Sequence, residues 1–343
     1  MKASLAQILL SSDQGPLAMA LRVALAPIQV IYMLVVNARN ALYDAGLIAS
    51  HDAGVPVISV GNVTVGGTGK TPLVIALARR GVAAGKKVAV VTRGYGSIAD
   101  DQGRTDEVKL IADRVPEAEV IVCPDKLTGA RQAAEKGCDV VIVDDGMQHR
   151  RLNRDLDICV VDARAPFGNG FQLPLGGLRE SPTALGRSDL VVMTHCEHMD
   201  PDDVIDSRTR VQAQKLGLQI IQAEHHPIGV RSVTAEPGDL DPVEHLAGET
   251  VFLFCGIGSP EGFVSTVEAL GAEVAGVMSF PDHHAYTGAD LQAVRAAAQT
   301  ARLVCTEKDA SKIAAIKGSD DVLCLAIAME LVGDLPQLPG IDG

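Results

Sequence analysis

A glycine-rich stretch that ends in Gly69, Lys70 and Thr71 has the residue types and order of a nucleotide phosphate site. It follows the apolar run 57–60 and precedes a predicted helix over 72–84. Glycines let successive backbone N–H groups turn toward a polyphosphate, and the N-terminus of the helix adds the positive end of its dipole. Lys70 would contact the β- and γ-phosphates, and Thr71 would hold Mg²⁺. The predicted nucleotide-binding residues are Thr64, Val65, Gly66, Gly67, Thr68, Gly69, Lys70 and Thr71.

This loop departs from the usual phosphate-binding pattern at one position. The pattern has a glycine five places before Gly69, and this chain has Thr64 there. A plain glycine-rich turn between a strand and a helix is the alternative interpretation. A Gly-Lys-Thr ending at the start of a helix favours the phosphate site, because a simple turn does not require it.

Two adjacent acids, Asp144 and Asp145, follow the apolar run 140–143. A buried parallel strand delivers its last residues to the same sheet edge as the phosphate loop, so one of these carboxylates could bind Mg²⁺ or its water shell. The alternative is a strand followed by a polar turn. Two neighbouring carboxylates are costly without a cation, which favours the metal site.

Polar residues beyond this pair could contact the transferring phosphate. Gln148, His149, Arg150 and Arg151 offer an amide, an imidazole and two guanidinium groups that could sense the γ-phosphate or neutralise its charge. Each arginine could equally be a solvated surface residue. The sequence alone leaves both interpretations open.

Three further stretches carry candidate functional groups. Arg93 and Tyr95 lie on a glycine turn suited to phosphate or sugar contact. Asp106 and Glu107 stand at a predicted helix start, where a carboxylate can be a plain cap or a catalytic group. His283 lies in the loop 280–284 beside an aspartate that could hold its ring in one tautomer, although a lone histidine is usually structural.

The elements that must position these groups alternate between apolar strands and helical patterns. Near-continuous apolar strands separated by helices predict an α/β fold with a parallel sheet covered on both faces. Prolines and glycines break this pattern between 223 and 245, and a second α/β pattern begins near 250. We predict an N-terminal helical region at 1–48, a phosphate-loop core domain at 49–222, a hinge at 223–245 and a smaller α/β domain at 246–343.

The first fifty residues contain an apolar segment with few charges. Residues 23–38 are uncharged, and as a helix they span about 24 Å, less than the roughly 30 Å hydrocarbon layer of a membrane. Arg22, Gln29, Asn37 and Asn40 form one polar stripe on this helix. The pattern suits a helix that lies in a membrane surface. A helix buried against the domain and a signal peptide are the alternatives.

Composition restricts the possible partners. The net charge of −13 and a pI near 5.1 argue against a protein that coats nucleic acid, since phosphate neutralisation needs a basic surface. The seven cysteines sit singly in or beside apolar runs without a Cys-x-x-Cys pair, as expected for core thiols in a reducing compartment.

Taken together, these motifs resemble the tetraacyldisaccharide 4′-kinases, lipid A kinases of the P-loop NTPase superfamily. The matching stretches occur in the same order along the chain: 61–72, 92–96, 144–149, 166–170, 280–283 and 305–309. The family's loop also lacks the first glycine, so Thr64 is expected.

The resemblance implies two α/β/α units joined by a two-stranded hinge, with an N-terminal membrane-associated helix at the cytoplasmic side of the inner membrane. It implies transfer of the γ-phosphate of ATP to the 4′-hydroxyl of a tetraacyldisaccharide 1-phosphate, with neither nucleic acid nor an obligate protein partner. Asp106 would be the general base and His283 its partner, while Thr71, Glu107, Asp144 and Asp145 would surround Mg²⁺. The implied substrate contacts are Arg93, Tyr95, Gln148, His149, Arg150, Arg151 and Asn169.

Two other classes of protein share the glycine loop. A ParA/MinD-like switch ATPase associates with membranes, but that class carries a second lysine where this chain has Val65. A ligase resembling dethiobiotin synthetase is the other alternative. The three classes differ in what their ATP turnover requires. The kinase requires a lipid disaccharide, the switch ATPase requires DNA or a partner protein, and the ligase requires a small acid.

Overall fold

One sheet of eleven strands runs through the chain, in a computed structural model that describes residues 15–94, 106–197, 199–215, 217–257, 260–281 and 284–342. The strands are β1 (Val57–Gly61), β2 (Val88–Thr92), β3 (Glu119–Val122), β4 (Val140–Asp144), β5 (Leu156–Asp162), β6 (Leu190–Thr194), β7 (Gln219–Ser232), β8 (Thr250–Cys255), β9 (Glu273–Ser279), β10 (Arg302–Thr306) and β11 (Leu323–Val332). Their order across the sheet is β3-β2-β4-β1-β5-β6-β7-β11-β10-β8-β9.

Helices connect most of these strands and cover the sheet. They are α1 (Pro16–Asp44), α2 (Lys70–Ala83), α3 (Asp106–Arg114), α4 (Lys126–Glu135), α5 (Pro201–Gln212), α6 (Pro260–Ala269), α7 (Gly288–Ala298) and α8 (Glu307–Ile313). Short 3₁₀ turns lie at Pro182–Arg187 and Val243–Leu246. The predicted α/β fold with a mainly parallel sheet is confirmed.

The phosphate loop leaves the sheet at its topological switch point. Strand β1 pairs in parallel with β4 on one side and with β5 on the other, and all five of its residues are buried. The register places Val60 opposite Asp144, so the ends of β1 and β4 meet at one edge. Ligands in open α/β sheets bind at such an edge, beyond the carboxyl ends of the strands.

Strands β7 and β11 form a long antiparallel pair in the middle of the sheet. Strand β7 also pairs in parallel with β6, and β11 with β10, so this pair joins the two parallel halves. Part of the predicted hinge at 223–245 is therefore a strand, because β7 extends to Ser232. The pair matches the expected two-stranded connection, while the domain boundaries at 48, 222 and 245 stay predictions.

Helix α1 contacts the rest of the protein through its polar side chains. The Tyr32 hydroxyl donates to the carbonyl of Arg179 at 2.8 Å, and the Asn40 amide donates to the Glu180 carboxylate at 2.6 Å. Arg22 lies 5.9 Å from the centre of the Phe171 ring. The polar stripe thus faces the protein at Arg22 and Asn40. A helix that lies alone in a membrane surface would instead turn its polar side to water.

The opposite side of α1 is apolar and open. Its exposed residues are Met19, Val23, Ile28, Val30, Ile31, Met33, Leu34, Val35 and Leu42. The alternative of a helix buried against the domain is therefore wrong. Within the part of the chain that the structure describes, Ala18–Asp44 is the helix that is long and apolar enough to cross a membrane by length and composition.

Candidate active site

Backbone conformation and side-chain contacts set the shape of the phosphate loop. Gly66 and Gly69 have φ angles of 108° and 82°, a region that favours glycine. The Asn62 amide donates to the Thr68 hydroxyl at 3.1 Å, and the Thr194 hydroxyl donates to the Thr68 carbonyl at 2.9 Å. These contacts fix the loop between β1 and β6, ahead of the N-terminus of α2.

Asp144 ends β4 beside this loop with one oxygen unsatisfied. The Thr92 hydroxyl donates to its Oδ2 at 3.2 Å, whereas its Oδ1 is buried and has no hydrogen-bond partner among the described residues. Burial raises the pKa of Asp144, although Lys70 and Lys126 oppose this shift. A buried carboxylate with an unpaired oxygen is suited to a cation, so Asp144 fits an Mg²⁺ site.

Asp145 has a different environment from its neighbour. Arg179 Nη1 lies 2.9 and 2.8 Å from its two oxygens, and Lys70 Nζ lies 3.9 Å from Oδ1. Burial opposes ionisation, but these two cations outweigh it and lower the pKa of Asp145. The same arginine contacts Gln148 Oε1 at 3.3 Å, while the Gln148 amide donates to the Asn62 carbonyl at 3.0 Å. Asp145 is therefore ionised and held beside Lys70.

Glu107, in the first turn of α3, lines the same cleft as the two aspartates. Burial and the nearby Asp144 raise its pKa to about 7, and Lys308 and Lys70 oppose the shift. No three acidic, histidine or cysteine side chains among the described residues form a metal site by themselves. An Mg²⁺ ion here would therefore depend on nucleotide oxygens as well as on the protein.

Replacing Glu107 with Gln should stabilise the unliganded protein much more at pH 8 than at pH 5. Folding raises the pKa of this carboxyl from 4.5 to about 7, so the folded state holds the proton more tightly and stability falls as pH rises through this range. A neutral amide avoids that cost. Thermal unfolding should show a Tm gain of roughly 2–4 °C at pH 8. An equal gain at both pH values would contradict the assignment.

A cleft of about 1850 Å³ opens above the phosphate loop. It is lined on one side by the loop, Glu107 and the two aspartates, and on the other by residues of the second half, including Phe263, Thr306 and Lys308. Ligand pockets commonly measure about 300–1,000 Å³, so a nucleotide and part of a second substrate fit in this space. Both halves of the sheet therefore contribute to one site.

The structure brings some predicted substrate residues to this cleft and places others elsewhere. Arg93 lines the cleft, and Gln148 borders it through Arg179. Arg150 instead donates to the Asn40 carbonyl at 2.9 Å and to Asp44 at 2.6 Å, which holds α1.

Three more of the predicted substrate residues, His149, Arg151 and Asn169, do not line the cleft. Arg151 pairs with Asp125 at 3.0 Å, and the Asn169 amide donates to the Leu175 carbonyl at 3.1 Å. His149 is half-buried, and burial together with Lys126 lowers its pKa. Tyr95 and His283 lie outside the described residues, as does the side chain of Asp106, although α3 begins at that residue.

Two basic residues of the site were not among the predicted ones. Arg179 binds both oxygens of Asp145, and Lys126 is buried with Nζ donating to the Val91 carbonyl at 3.2 Å. Burial lowers the pKa of Lys126 to about 8, against the effect of Asp144 and Asp145. A lysine at the start of a helix and an arginine in a loop carry no local signal of these contacts, which form between distant parts of the chain.

Known proteins share both the sequence and the fold. A family model described as tetraacyldisaccharide-1-P 4′-kinase matches residues 21–338. The tetraacyldisaccharide 4′-kinase of Anaeromyxobacter sp. (strain K) is 41% identical over 294 residues, covering 80% of this chain and 77% of that protein. The one from Syntrophus aciditrophicus (strain SB) is 40% identical over 328 residues, covering 88% and 86%. A crystal structure of LpxK from Aquifex aeolicus in complex with ATP superposes with a TM-score of 0.71 at 29% identity, covering 91% of this chain and 95% of that one.

Proposed function

The chain belongs to the tetraacyldisaccharide-1-P 4′-kinase family, and on that premise we propose that it transfers the γ-phosphate of ATP to the 4′-hydroxyl of a tetraacyldisaccharide 1-phosphate. The product is the bis-phosphorylated lipid A precursor. The observation that carries the proposal is a family match over residues 21–338 whose phosphate loop, double aspartate and cleft lie together in the structure.

The phosphate loop and Lys70 bind the triphosphate. Backbone N–H groups of residues 66–69 and the N-terminus of α2 face the phosphates, while Lys70 neutralises the β- and γ-oxygens. The Val65 N–H instead donates to the Gly177 carbonyl at 2.7 Å. In the structure Lys70 contacts Asp145, which keeps the ammonium near the site before nucleotide binds. Related LpxK from Aquifex aeolicus has been crystallised with ATP, which supports ATP as the phosphate donor.

Thr71, Glu107, Asp144 and Asp145 are the residues that would hold Mg²⁺. When bound, the ion supplies positive charge to the phosphate oxygens of the transferring group. The unsatisfied Oδ1 of Asp144 and the ionised Asp145 provide oxygen donors of the required type. Arg179 fixes the orientation of Asp145 through both carboxylate oxygens.

Asp106, with His283 as its partner, is proposed to accept the proton of the substrate hydroxyl. A sugar hydroxyl is a poor nucleophile at neutral pH, so a positioned carboxylate that accepts its proton assists the transfer. Asp106 starts the helix whose next residue, Glu107, lines the cleft. His283 is proposed to orient that carboxylate from the second half of the chain.

A direct assay tests the proposed function. Purified protein is incubated with ATP, Mg²⁺ and the tetraacyldisaccharide 1-phosphate in detergent micelles. The lipids are then separated, and their masses are measured by mass spectrometry. We expect a lipid heavier by one phosphoryl group and dependent on ATP. ATP turnover without this product, or turnover that requires DNA or a partner protein, would overturn the proposal in favour of a switch ATPase.

The open apolar side of α1 is proposed to hold the enzyme at the cytoplasmic side of the inner membrane. The acyl chains of the substrate leave a bilayer only at high cost, so the active site must reach the membrane. The polar side of α1 binds the protein next to the loop that contains Glu180, and its apolar residues point away. The contact of Tyr32 with Arg179, a residue that lines the cleft, supports an active site that works next to the membrane.

Changing Ile31, Leu34 and Val35 together to Ser should move the protein from the membrane fraction to the soluble fraction. Each side chain is more than 60% exposed, and burial of such a residue in lipid contributes about 1.5–3 kcal/mol. Ultracentrifugation of cell lysates measures the distribution. Ile205 on α5 is similarly exposed, so Ile205→Ser is the matched control and should stay with the membrane. Full membrane retention of the triple variant would refute the anchor.

A further inference from the structure

An ion pair joins the end of α3 to the start of α8, and both of its residues line the cleft. Arg114 Nη1 lies 2.6 Å from Glu307 Oε1, and the two side chains are only 4% and 8% exposed. The desolvation of two buried charges costs as much free energy as their attraction returns, so such a pair is poorly explained by stability alone. Its contacts indicate what else it does.

Both members of the pair also bind the backbone of one residue of β11, Ile327. Arg114 Nη2 donates to the carbonyl of Ile327 at 3.0 Å, and the Ile327 N–H donates to Glu307 Oε2 at 3.2 Å. The pairing of β10 with β11 ends opposite Leu325, so no described strand takes these groups on that side. Arg114 and Glu307 therefore connect two helices and the central strand.

Further contacts tie α3 to its neighbours. Arg79, on the helix that follows the phosphate loop, donates from Nε to the Arg114 carbonyl at 3.1 Å. Lys109 Nζ lies 3.4 Å from the carbonyl of Ser311 on α8. Helix α3 is thus held by α2, α8 and β11, while its N-terminus carries Glu107 into the cleft.

We propose that Arg114 and Glu307 are positioning residues for phosphoryl transfer, which hold α3 against α8 and β11 so that the start of α3 stays in place over the phosphate loop. The inference rests on the proposed function. Neither residue is assigned a contact with the reacting atoms. Helix α3 is about 14 Å long, so movement at its C-terminus is carried to its N-terminus, and a displacement of about 1 Å there costs roughly 100-fold in rate.

Glu307→Gln is the first test. The amide keeps the size of the side chain and an acceptor for the Ile327 N–H, but it removes the charge that holds Arg114. We expect kcat for the lipid to fall roughly 10- to 100-fold with KM for ATP little changed, because the phosphate loop is untouched. A residue with a purely structural role would lower Tm without this separation of kcat from KM.

Asp342→Asn is the matched control. It weakens an ion pair between Arg80 of α2 and the C-terminal segment, at 2.8 Å, that lies at the surface and does not contact α3. Its kcat should equal that of the wild type. A second variant, Arg114→Met with Glu307→Leu, replaces the buried pair with apolar side chains, a change that proteins often tolerate. It should fold with a lower Tm, because the Ile327 N–H and carbonyl lose their partners, and it should show the same loss of kcat.

Hydrogen exchange of the amides at 107–111 provides a readout that needs no activity. Exchange should be faster in Glu307→Gln than in the wild type and unchanged in Asp342→Asn. Wild-type kcat together with wild-type exchange in Glu307→Gln would overturn the positioning role. Absence of lipid phosphorylation by the wild type would instead overturn the proposed function, and the exchange measurement would still decide whether the pair holds α3.

Discussion

Replacing Lys70 with Met is expected to lower kcat roughly 10²–10³-fold, the cost of removing one preorganised charge from the transferring group. Lys70 is the first residue of α2 and its ammonium lies 3.9 Å from Asp145. Lys308 and Arg93 also line the cleft, but neither lies at the start of α2, so neither takes the position of Lys70 beside the loop. Affinity for ATP should fall as well, because the ammonium contacts the phosphates in the ground state. Steady-state kinetics with the lipid substrate and ATP titration measure the two effects.

The fold should survive this substitution, because Asp145 keeps its two contacts with Arg179. Circular dichroism and thermal unfolding check that point. Lys136→Met is the matched control, since Lys136 pairs with Glu119 on an exposed surface. It should turn over like the wild type. Near wild-type turnover of the Lys70 variant would exclude the phosphate role assigned to this lysine.

Local patterns predicted the elements of the site well. Apolar runs of four or five residues identify β1, β4 and β6 because these strands are buried on both faces. Their carboxyl ends share one edge of a parallel sheet, so the proximity of the glycine loop and the double aspartate follows from strand direction. Short-range features of this kind are visible in a single sequence.

The central strand pair was less predictable. Pro227 and Gly229 suggested a break, yet β7 continues through both. Pairing with β6 ends at Ala223, so Pro227 needs no partner on that side, and its partner Ile327 on β11 lies at a register irregularity. A proline is tolerated where a strand is locally an edge or beside a bulge. Its place in the sheet is not visible in the sequence.

Contacts between distant segments account for the other differences. The polar stripe of α1 was evident from its spacing, but periodicity does not say whether water or protein lies against it. Arg179 lies 34 residues from Asp145, and Arg114 lies 193 residues from Glu307. The helix that begins at Glu307 was not predicted, since it is only seven residues long. Pairing over such separations depends on the assembled sheet.

Asp106→Asn should cause the other large loss, with kcat reduced roughly 10²–10⁴-fold, the usual contribution of a general base. The amide cannot accept the proton of the 4′-hydroxyl, so transfer must proceed through an undeprotonated acceptor. ATP affinity should be retained, because the phosphate loop and Lys70 are unchanged. Rapid-quench measurement of lipid phosphorylation, together with ATP titration, separates chemistry from binding.

Asp113→Asn, an exposed acid on the same helix, is the matched control and should leave kcat unchanged. His283→Ala should produce a smaller loss, since it acts through the base. If the two residues form one unit, the double variant will be no slower than Asp106→Asn alone, because removing the base already removes what the histidine orients. Additive losses would show that His283 acts independently. Unchanged turnover in Asp106→Asn would remove this carboxylate from the role of base, and the proton would then have to leave by way of another group in the cleft.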